Sequence, residues 1–491
     1  MSFVYSLRGS YWPTLFVSLM ALSPGFVLSS SLGLLRPTIA ESLGTSPGSI
    51  LWATILGNAA LALGAVLAAE LAQRFKNRPL FMTYQSMFIF GSVIGFLAPN
   101  AATLILGHTL QGLATGLLLV AALPPLVIGF PAPRLKTTIP AVVMGLFGAV
   151  TAGPLVGGYF AATGAWRILF LATVVVGVAT LVLALISLPD KEPLNPGVRI
   201  DATALLLSAS GAGLTFVGVG ALMAAGAGSP AFYVPVSLGI LMLTALVVLE
   251  GVRSNPLMPG GPLTTTFPVM GILAAIISGA ACTALVELTL LFLERVRGLE
   301  ASAAGFLFWP EFVMGVVGAV IVGFVLTSRW VLTMPLFGML SLSLAAWGLT
   351  SITSETGDNR ILFIAAALGL GASLTVTPGL LMAALSIPPM LVGRAIALVE
   401  LLRLASAYTV GPVLVYIARS YGSRGENLLA GIHTGYWIVF GFMLAGILVI
   451  TLIYLRGGAR LHPPGLETFL EDGEPAFDSP PVKKKPASDP G

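Results

Sequence analysis

The sequence is divided into fourteen apolar segments, each long enough to cross a lipid bilayer as a helix. About 20 apolar residues in a helix span the hydrocarbon layer. Backbone polar groups in that layer must bond one another, which leaves helices or closed barrels, and the alternating pattern of barrel strands is absent. The segments cover residues 11–38, 49–70, 79–98, 102–129, 137–161, 167–188, 202–223, 231–251, 266–292, 302–327, 330–352, 360–386, 391–418 and 432–455. We predict an all-α integral membrane protein with fourteen transmembrane helices.

The composition excludes several function classes. Only 9% of the residues are charged, against about 25% in soluble domains, and the connections between segments are too short for a soluble catalytic domain. Cys282 is the single cysteine and the three histidines lie far apart, so neither a disulfide framework nor a metal site is expected. Most charges lie between the segments rather than in one basic patch. We therefore expect no enzymatic activity, no metal, no cofactor and no nucleic-acid partner.

The lysines and arginines are distributed unevenly between the two sides of this topology. With the N-terminus inside, the cytoplasmic side receives Arg8, Arg74, Lys76, Arg78, Arg134, Lys136, Lys191, Arg199, Arg253, Arg329, Arg394, Arg456, Arg460, Lys483, Lys484 and Lys485. The outer side receives Arg36, Arg167, Arg295, Arg297, Arg360, Arg419 and Arg424. An excess of positive charge marks cytoplasmic loops. We expect a bacterial inner (cytoplasmic) membrane protein with both termini in the cytoplasm.

A sequence pattern that occurs twice in the chain indicates two related halves. The run TAGPL at 151–155 of segment five is matched by TVGPV at 409–413 of segment thirteen. Paired Gly/Pro interruptions are the sequence mark of transporters built from repeats. This predicts an N-terminal six-helix bundle (1–188), two inserted helices with their flanking loops (189–261) and a C-terminal six-helix bundle (262–456). The Pro-rich, acidic tail (457–491) is predicted to be disordered.

Segment five carries the most specific motif of the chain. Its glycines and proline are Gly145, Gly153, Pro154, Gly157 and Gly158, and the sequence WRILF follows at 166–170. Glycines let neighbouring backbones approach closely, and the proline removes one helical hydrogen bond and bends the helix. The motif resembles the antiporter signature of the major facilitator superfamily, in its fourteen-helix drug:proton antiporter branch. The resemblance implies the major facilitator fold, with two six-helix bundles and two extra central helices. The glycines and the bend favour a hinge in segment five; the alternative is plain close helix packing.

Two further motifs resemble the family pattern with altered residues. The loop after segment two has Gln73 in the place of the family's acid, followed by Arg74 and Arg78, where the family forms a cytoplasmic charge latch. In segment four, His108 replaces the arginine that precedes Gln111, so a fixed charge becomes a titratable one. Segment one lacks the family's acid, with Leu28 nearest that position. Segments seven and eight, which are peripheral in the family, carry no charge that we expect inside the membrane.

Ionisable residues inside a membrane are costly and are functional candidates by default. The candidates for proton coupling are Glu311, Glu400, Arg403, Glu287 and His108. Glu400 and Arg403 are spaced to meet on one helix face, either as a self-neutralising structural pair or as a pair that substrate or a proton disrupts. Glu311 has no partner nearby in sequence and is our candidate for the proton carrier; the alternative is a solvated position in an aqueous vestibule. His108 is either a proton relay or a structural partner of Gln111.

Aromatic side chains near Glu311 are candidates for the substrate surface. Trp309, Phe312 and Phe308 surround it in sequence, and Gln111 of segment four is the polar candidate. A carboxylate beside aromatic faces suits a lipophilic cation. The alternative is that these aromatic side chains contact lipid or anchor their helix at the membrane interface.

The family resemblance implies a proton-coupled exporter of amphipathic organic compounds, that is, a multidrug efflux protein that works by alternating access and draws its energy from the proton gradient. We expect lipophilic small molecules and membrane lipid as its partners, a monomeric state, and a periplasmic adaptor or outer-membrane channel as a further partner. One alternative is a carrier of one metabolite, lipid or siderophore with weak or no proton coupling. The other is a membrane scaffold or receptor that does not transport.

Overall fold

The computed structural model describes residues 8–190, 192–193, 200–252 and 263–482. Each predicted segment corresponds to one long helix in this part of the chain, so the predicted fold class is confirmed. The long helices are α1 Tyr11–Ser42, α2 Pro47–Leu71, α3 Asn77–Phe96, α4 Ala101–Ile128, α5 Ala132–Thr163, α6 Trp166–Ser187, α7 Ala202–Ala225, α8 Pro230–Val252, α9 Thr266–Arg295, α10 Ala301–Val325, α11 Arg329–Leu349, α12 Asp358–Leu385, α13 Val392–Tyr421 and α14 Gly425–Gly457. A short helix, α15 Leu466–Glu471, follows in the tail.

Thirteen of the long helices have the length and composition of membrane spans. The exception is α13, which has 30 residues but contains Arg394, Glu400 and Arg403. Charged residues are rare in spans and mark functional positions. The helix that is least like a lipid-exposed span therefore contributes three charged residues to the bundle.

The two six-helix halves, α1–α6 and α9–α14, meet along two seams. One seam joins α5 to α10 and the other joins α2 to α13. The inserted helix α7 packs on α8 and also on both α2 and α13. Near its end, the backbone N–H of Ala227 donates to the Tyr416 hydroxyl of α13 at 3.1 Å. The insertion therefore lies beside the α2–α13 seam and touches both halves.

The helices alternate in direction, so the bundle has two distinct ends. We call the end where α1 begins and α14 ends the terminal face, and the other end the opposite face. Toward the terminal face, every residue from Ala114 to Leu123 of α4 and from Gly371 to Leu385 of α12 is buried. Gly393, at the start of α13, lies close enough to α4 that a Cβ there would be 3.4 Å from Pro124 Cγ. The two halves are therefore closed against each other at the terminal face.

Helix α5 is held by glycine contacts on two sides. A Cβ at Gly153 would collide with Ser30 of α1, and one at Gly157 would lie 2.6 Å from the Ser31 carbonyl oxygen. On the other side, a Cβ at Gly158 would lie 2.6 Å from the Ala301 carbonyl oxygen of α10. Adjacent glycines thus serve different contacts, Gly157 within one half and Gly158 between the halves.

The prediction of a disordered tail is wrong for residues 457–482. Phe469 and Phe477 are buried, and the backbone N–H groups of Ala476 and Phe477 donate to the Leu385 carbonyl of α12 at 2.7 and 3.2 Å. The Thr266 N–H at the start of α9 donates to the Pro480 carbonyl at 2.9 Å. Buried aromatics and capped helix ends hold this stretch on the terminal face, despite its Pro-rich, acidic composition. Lys483 to Lys485 lie outside the described residues.

We expect Gly157→Ala to lower the free energy of unfolding by about 1–3 kcal/mol, because the new methyl group overlaps the α1 backbone. The matched control is Gly213→Ala in α7, where a Cβ meets nothing within 4 Å. The measurement is the apparent Tm of each variant purified in detergent. Equal Tm values for the two variants would contradict the close α1–α5 contact.

Candidate functional site

The interior of the N-terminal half contains a neutral polar network. The Gln111 amide nitrogen donates to Ser92 Oγ at 2.7 Å and to Thr173 Oγ1 at 3.4 Å. Both hydroxyl groups donate to backbone carbonyls, so each can only accept from Gln111. Gln111 Oε1 must therefore accept from His108 Nδ1, 3.1 Å away. This arrangement requires a proton on His108 Nδ1.

A small polar cavity lies beside His108, between α1, α2 and α4. Its volume is about 10 Å³, and Ser29, Asn58 and Thr115 contribute to its walls. Ser29 Oγ donates to Asn58 Oδ1 at 3.2 Å, and Asn58 Nδ2 donates to the Thr54 carbonyl at 2.9 Å. A space of this size suits one water molecule rather than an organic compound. His108 and Gln111 thus form a buried polar centre, and in this conformation the cavity beside them has no room for an organic compound.

In the C-terminal half, Glu400 and Arg403 form the predicted pair. Arg403 Nε and Nη2 donate to Glu400 Oε2 at 2.9 and 2.6 Å, and Glu400 is only 3% exposed. The stem of Arg403 packs on α9, where a Cβ at Gly279 would lie 2.8 Å from Arg403 Cγ. The pair therefore neutralises itself and ties α13 to α9.

Glu311 is buried on α10, and at least one oxygen of its carboxyl has no hydrogen bond. The residue is 2% exposed, and Oε2 has no hydrogen-bond partner among the described residues. Its backbone carbonyl contacts α12 so closely that Gly369 has no room for a Cβ. Cys282 of α9 lies within electrostatic reach of both Glu311 and Arg403. Glu311 therefore shares one region of the bundle with the ion pair, without being part of it.

Glu287 is half-buried on α9 and lies against α13. A Cβ at Gly411 would be 2.7 Å from Glu287 Oε2, so the glycine leaves room for the carboxylate. Arg36 of α1 is close enough to act on this carboxylate electrostatically. Glu287 thus lies where the two halves face each other, nearer the opposite face than Glu400.

The aromatic candidates on α10 have different surroundings. Phe308 is 1% exposed, whereas Trp309 and Phe312 are 40% and 37% exposed. Phe312 lies on the α5–α10 seam, 3.7 Å from the place of a Cβ at Gly148, within the π-helical turn Met144–Gly148 of α5. Gln111 lies in the N-terminal half with its amide fully bonded. These positions place Phe312 at the boundary between the halves and Phe308 in the packed core.

The altered loop after α2 contacts the C-terminal half. Gln73 Oε1 accepts a hydrogen bond from Arg394 Nη2 of α13. Arg78 caps the end of α6 by donating to the Leu185 carbonyl at 2.6 Å, and Arg74 pairs with Glu70 at 2.5 Å. Thus Arg74 and Arg78 bond groups near the ends of α2 and α6, and Gln73 bridges the two halves.

The sequence reasoning missed two acids near this loop. Glu70 is 2% exposed, and its Oε1 also accepts from the Asp201 N–H at 3.2 Å. Glu250, near the end of α8, is 1% exposed, so this acid is buried within the protein. Both acids act electrostatically on Arg394. The spacing of Glu70 four residues before Arg74 was a usable signal, whereas nothing local marks Glu250.

The fold and these motifs agree with comparison to known proteins. The family described as the Major Facilitator Superfamily matches residues 15–403. The chain belongs to the Major Facilitator Superfamily. Its members are transporters, so the chain is a multi-pass membrane transporter and not an enzyme.

Several curated relatives are exporters by name. The cephamycin export protein CmcT of Amycolatopsis lactamdurans is 28% identical over 440 residues, which cover 88% of this chain and 89% of that protein. The tetracenomycin C resistance and export protein of Streptomyces glaucescens is 28% identical over 373 residues, 74% of this chain and 68% of that protein. The uncharacterized MFS-type transporter YubD of Bacillus subtilis is 27% identical, over 89% of this chain and 87% of that protein.

Solved structures share the fold. The human organic anion transporter MFSD10 aligns with a TM-score of 0.63 at 11% identity, over 90% of this chain and 99% of that chain. The proton:xylose symporter XylE aligns with a TM-score of 0.59 at 15% identity, over 92% of this chain and 96% of that chain. At these identities the likeness bears on the fold alone.

We expect Arg403→Leu to lower the free energy of unfolding by about 3–5 kcal/mol, because it leaves the Glu400 carboxylate buried without its cation. The double variant with Glu400→Leu should recover most of this loss. The apparent Tm of both purified proteins tests the expectation. A double variant that is less stable than Arg403→Leu would show that the ion pair is not what holds this site.

Proposed function

We propose that the protein exports amphipathic organic compounds in exchange for protons, by alternating access between two faces of a bacterial inner membrane. The observation that carries this proposal is Glu311, a buried carboxyl on α10 with an unpartnered oxygen. A charged carboxylate is costly in such surroundings unless it is paired, and a bound proton removes that cost. The exporters among the relatives support the direction of transport.

We assign the terminal face to the cytoplasm. The positive-inside rule supports this orientation, because Arg74 and Lys76 lie in a connection at that face and Arg78, Arg134 and Lys136 lie in the first turns of helices that begin there. Lys191, Arg199 and Arg253, which contribute to the same bias, lie outside the described residues. In this orientation, the closed terminal face corresponds to a state that does not admit substrate from the cytoplasm.

In the proposed cycle, a proton reaches Glu311 from the outside while the terminal face is closed. Glu287 lies nearer the opposite face and is the residue we propose for the relay. Protonation neutralises Glu311 and allows the halves to rearrange about the α5–α10 seam, where Gly158 and Phe312 make contacts between them. Substrate from the cytoplasm then favours the ionised carboxylate, and the proton leaves to the inside.

The substrate class follows from the surroundings of Glu311. The half-exposed rings of Trp309 and Phe312 flank it in sequence, and a carboxylate beside aromatic faces favours a lipophilic cation. A second candidate is export of one natural product with weak proton coupling. The names of the cephamycin and tetracenomycin C exporters favour it, as does the apolar Leu28 where the family has an acid.

We expect Glu311→Gln to abolish substrate transport driven by an imposed pH gradient, because the amide keeps the size of the carboxyl but cannot bind and release the proton. The measurement is uptake of a lipophilic cation such as ethidium into inside-out proteoliposomes. Glu355→Gln, in an exposed connection at the opposite face, is the matched control and should leave uptake unchanged.

Three results separate the candidate functions. Full gradient-driven uptake by Glu311→Gln would remove Glu311 from the mechanism. Uptake by the unaltered protein that ignores the pH gradient would favour the uncoupled carrier. An absence of transport for lipophilic cations, anions and neutral compounds alike would favour a membrane receptor.

A further inference from the structure

A groove lies on the C-terminal half where α11 meets α12, near the opposite face. Its volume is about 200 Å³, smaller than the roughly 300–1,000 Å³ of pockets that enclose a drug-sized ligand. Exposed apolar side chains form its walls and buried alanines form its floor: Leu344, Trp347, Phe363, Ala345 and Ala367. Arg360, in the first turn of α12, closes the end nearest the opposite face. The groove is therefore apolar along its length and positively charged at one end.

The groove opens toward the lipid side of the bundle. Helix α11 packs on α9, α12 and α14 of its own half. Its residues Phe337, Leu340, Leu344 and Trp347 recur at helical spacing and are between 47% and 57% exposed. In a chain that spans a membrane, such an apolar stripe on the outside of the bundle meets acyl chains. The molecules that meet this groove are therefore lipids.

Small residues hold the two helices close together beneath the groove. Ser341 Oγ of α11 donates to the Ala367 carbonyl of α12 at 2.8 Å. A Cβ at Gly348 would lie 3.3 Å from Ile364 Cγ1, so a larger residue there would press on α12. Because Gly348 has no side chain, the groove continues past it to Arg360.

The Arg360 guanidinium is fixed over the end of α11. Its Nη2 donates to the Gly348 carbonyl at 2.8 Å and to Ser351 Oγ at 2.5 Å, and Nη1 donates to the Ser351 carbonyl at 3.4 Å. These bonds satisfy carbonyls that have no partner within the helix.

The charge of Arg360 is not neutralised by a protein carboxylate. Asp358, two residues earlier, pairs with Arg297 at 2.8 Å, and in the described part of the chain no carboxylate forms an ion pair with Arg360. Its side chain is exposed, and its Nε–H has no acceptor among the described residues. A cation with a free donor therefore lies at the mouth of an apolar groove.

We propose that this groove binds one acyl chain of an anionic glycerophospholipid from the leaflet at the opposite face, and that Arg360 binds its phosphate. A guanidinium matches the geometry of a phosphate group, and Trp347 lies near the end of its helix, as indoles do at a membrane interface. A zwitterionic headgroup would place its ammonium beside an uncompensated cation, so an anionic headgroup is favoured. The proposal goes beyond the proposed function and requires only that the chain spans a membrane.

The other end of α11 provides a matched comparison site. There the Arg329 guanidinium carbon lies 5.1 Å from the centre of the Trp330 ring, and Trp330 is 50% exposed. This end also presents an indole beside an arginine, but neither residue contributes to the groove. The pair therefore separates the effect of the groove from the general attraction between arginine and phospholipid.

The test measures quenching of tryptophan fluorescence by lipids with brominated acyl chains, added to the protein in detergent. Subtracting the signal of Trp347→Phe, or of Trp330→Phe, isolates each indole. We expect brominated phosphatidylglycerol to half-quench Trp347 at a concentration about fivefold lower than brominated phosphatidylcholine, the effect of one arginine near a membrane surface. Arg360→Gln should abolish this preference, whereas Arg329→Gln should leave it unchanged.

A second variant tests the apolar part of the groove. Gly348→Leu fills it, so the concentrations of both lipids that half-quench Trp347 should rise, while those for Trp330 stay the same. Equal concentrations of the two lipids at Trp347 in the unaltered protein would overturn the proposal, as would a preference that survives Arg360→Gln. If Arg360→Gln does not fold, the unaltered protein decides: a preference for phosphatidylglycerol at Trp347 but not at Trp330 supports the site, and equal preferences overturn it.

Inorganic phosphate distinguishes a lipid site from a site for free phosphate. At the same concentration as the lipid it should leave the quenching of Trp347 unchanged, because it has no acyl chain to occupy the groove. Relief of quenching by phosphate would overturn the assignment to lipid. The test involves no transport, so its outcome is independent of whether Glu311 carries the proton.

Discussion

The need to compensate buried charge determines much of how this apolar bundle is organised. Glu400 pairs with Arg403, and Glu70 pairs with Arg74 at the terminal face. Each pair holds a charge that would be prohibitively costly alone in a low-dielectric interior. Glu311 differs from these two pairs, because its side chain makes no ion pair with the described residues and its Oε2 has no hydrogen-bond partner. We propose that the unpaired carboxyl of Glu311 exchanges the proton, whereas the paired charges hold the helices in place.

The helices could be predicted from the sequence because their lengths are imposed by the bilayer. The sequence predicts even α13, although Arg394, Glu400 and Arg403 lower its hydropathy. The turns that flank it and its sequence similarity to segment five indicate this helix. The Glu400–Arg403 pair was also predictable, because both residues lie on one helix face. Local periodicity was thus sufficient for elements and for contacts within an element.

Contacts between distant segments could not be predicted in the same way. Gln73 and Arg394 are separated by 321 positions, and Glu250 reaches them from an inserted helix. The tail was misjudged for a related reason: its composition resembles that of disordered segments, but Phe469 and Phe477 bury themselves against helix ends formed much earlier in the chain. Composition indicates how much apolar surface a segment could bury by itself. These segments are ordered instead by their contacts with distant parts of the chain.

The substitution of His108 for the family's arginine has a structural counterpart. An arginine has five N–H donors. Beside His108, the acceptors are the Gln111 oxygen and polar groups in the walls of a cavity of about 10 Å³. The imidazole of His108 meets the Gln111 oxygen with a single N–H donor. The core of the N-terminal half can therefore remain uncharged, while Glu287, Glu311, Glu400 and Arg403 concentrate charge in the C-terminal half. Because proton binding would then act on one half only, its effect must reach the other through the seams, at the Gly158 contact of α5 and at the Arg394 contact of α13.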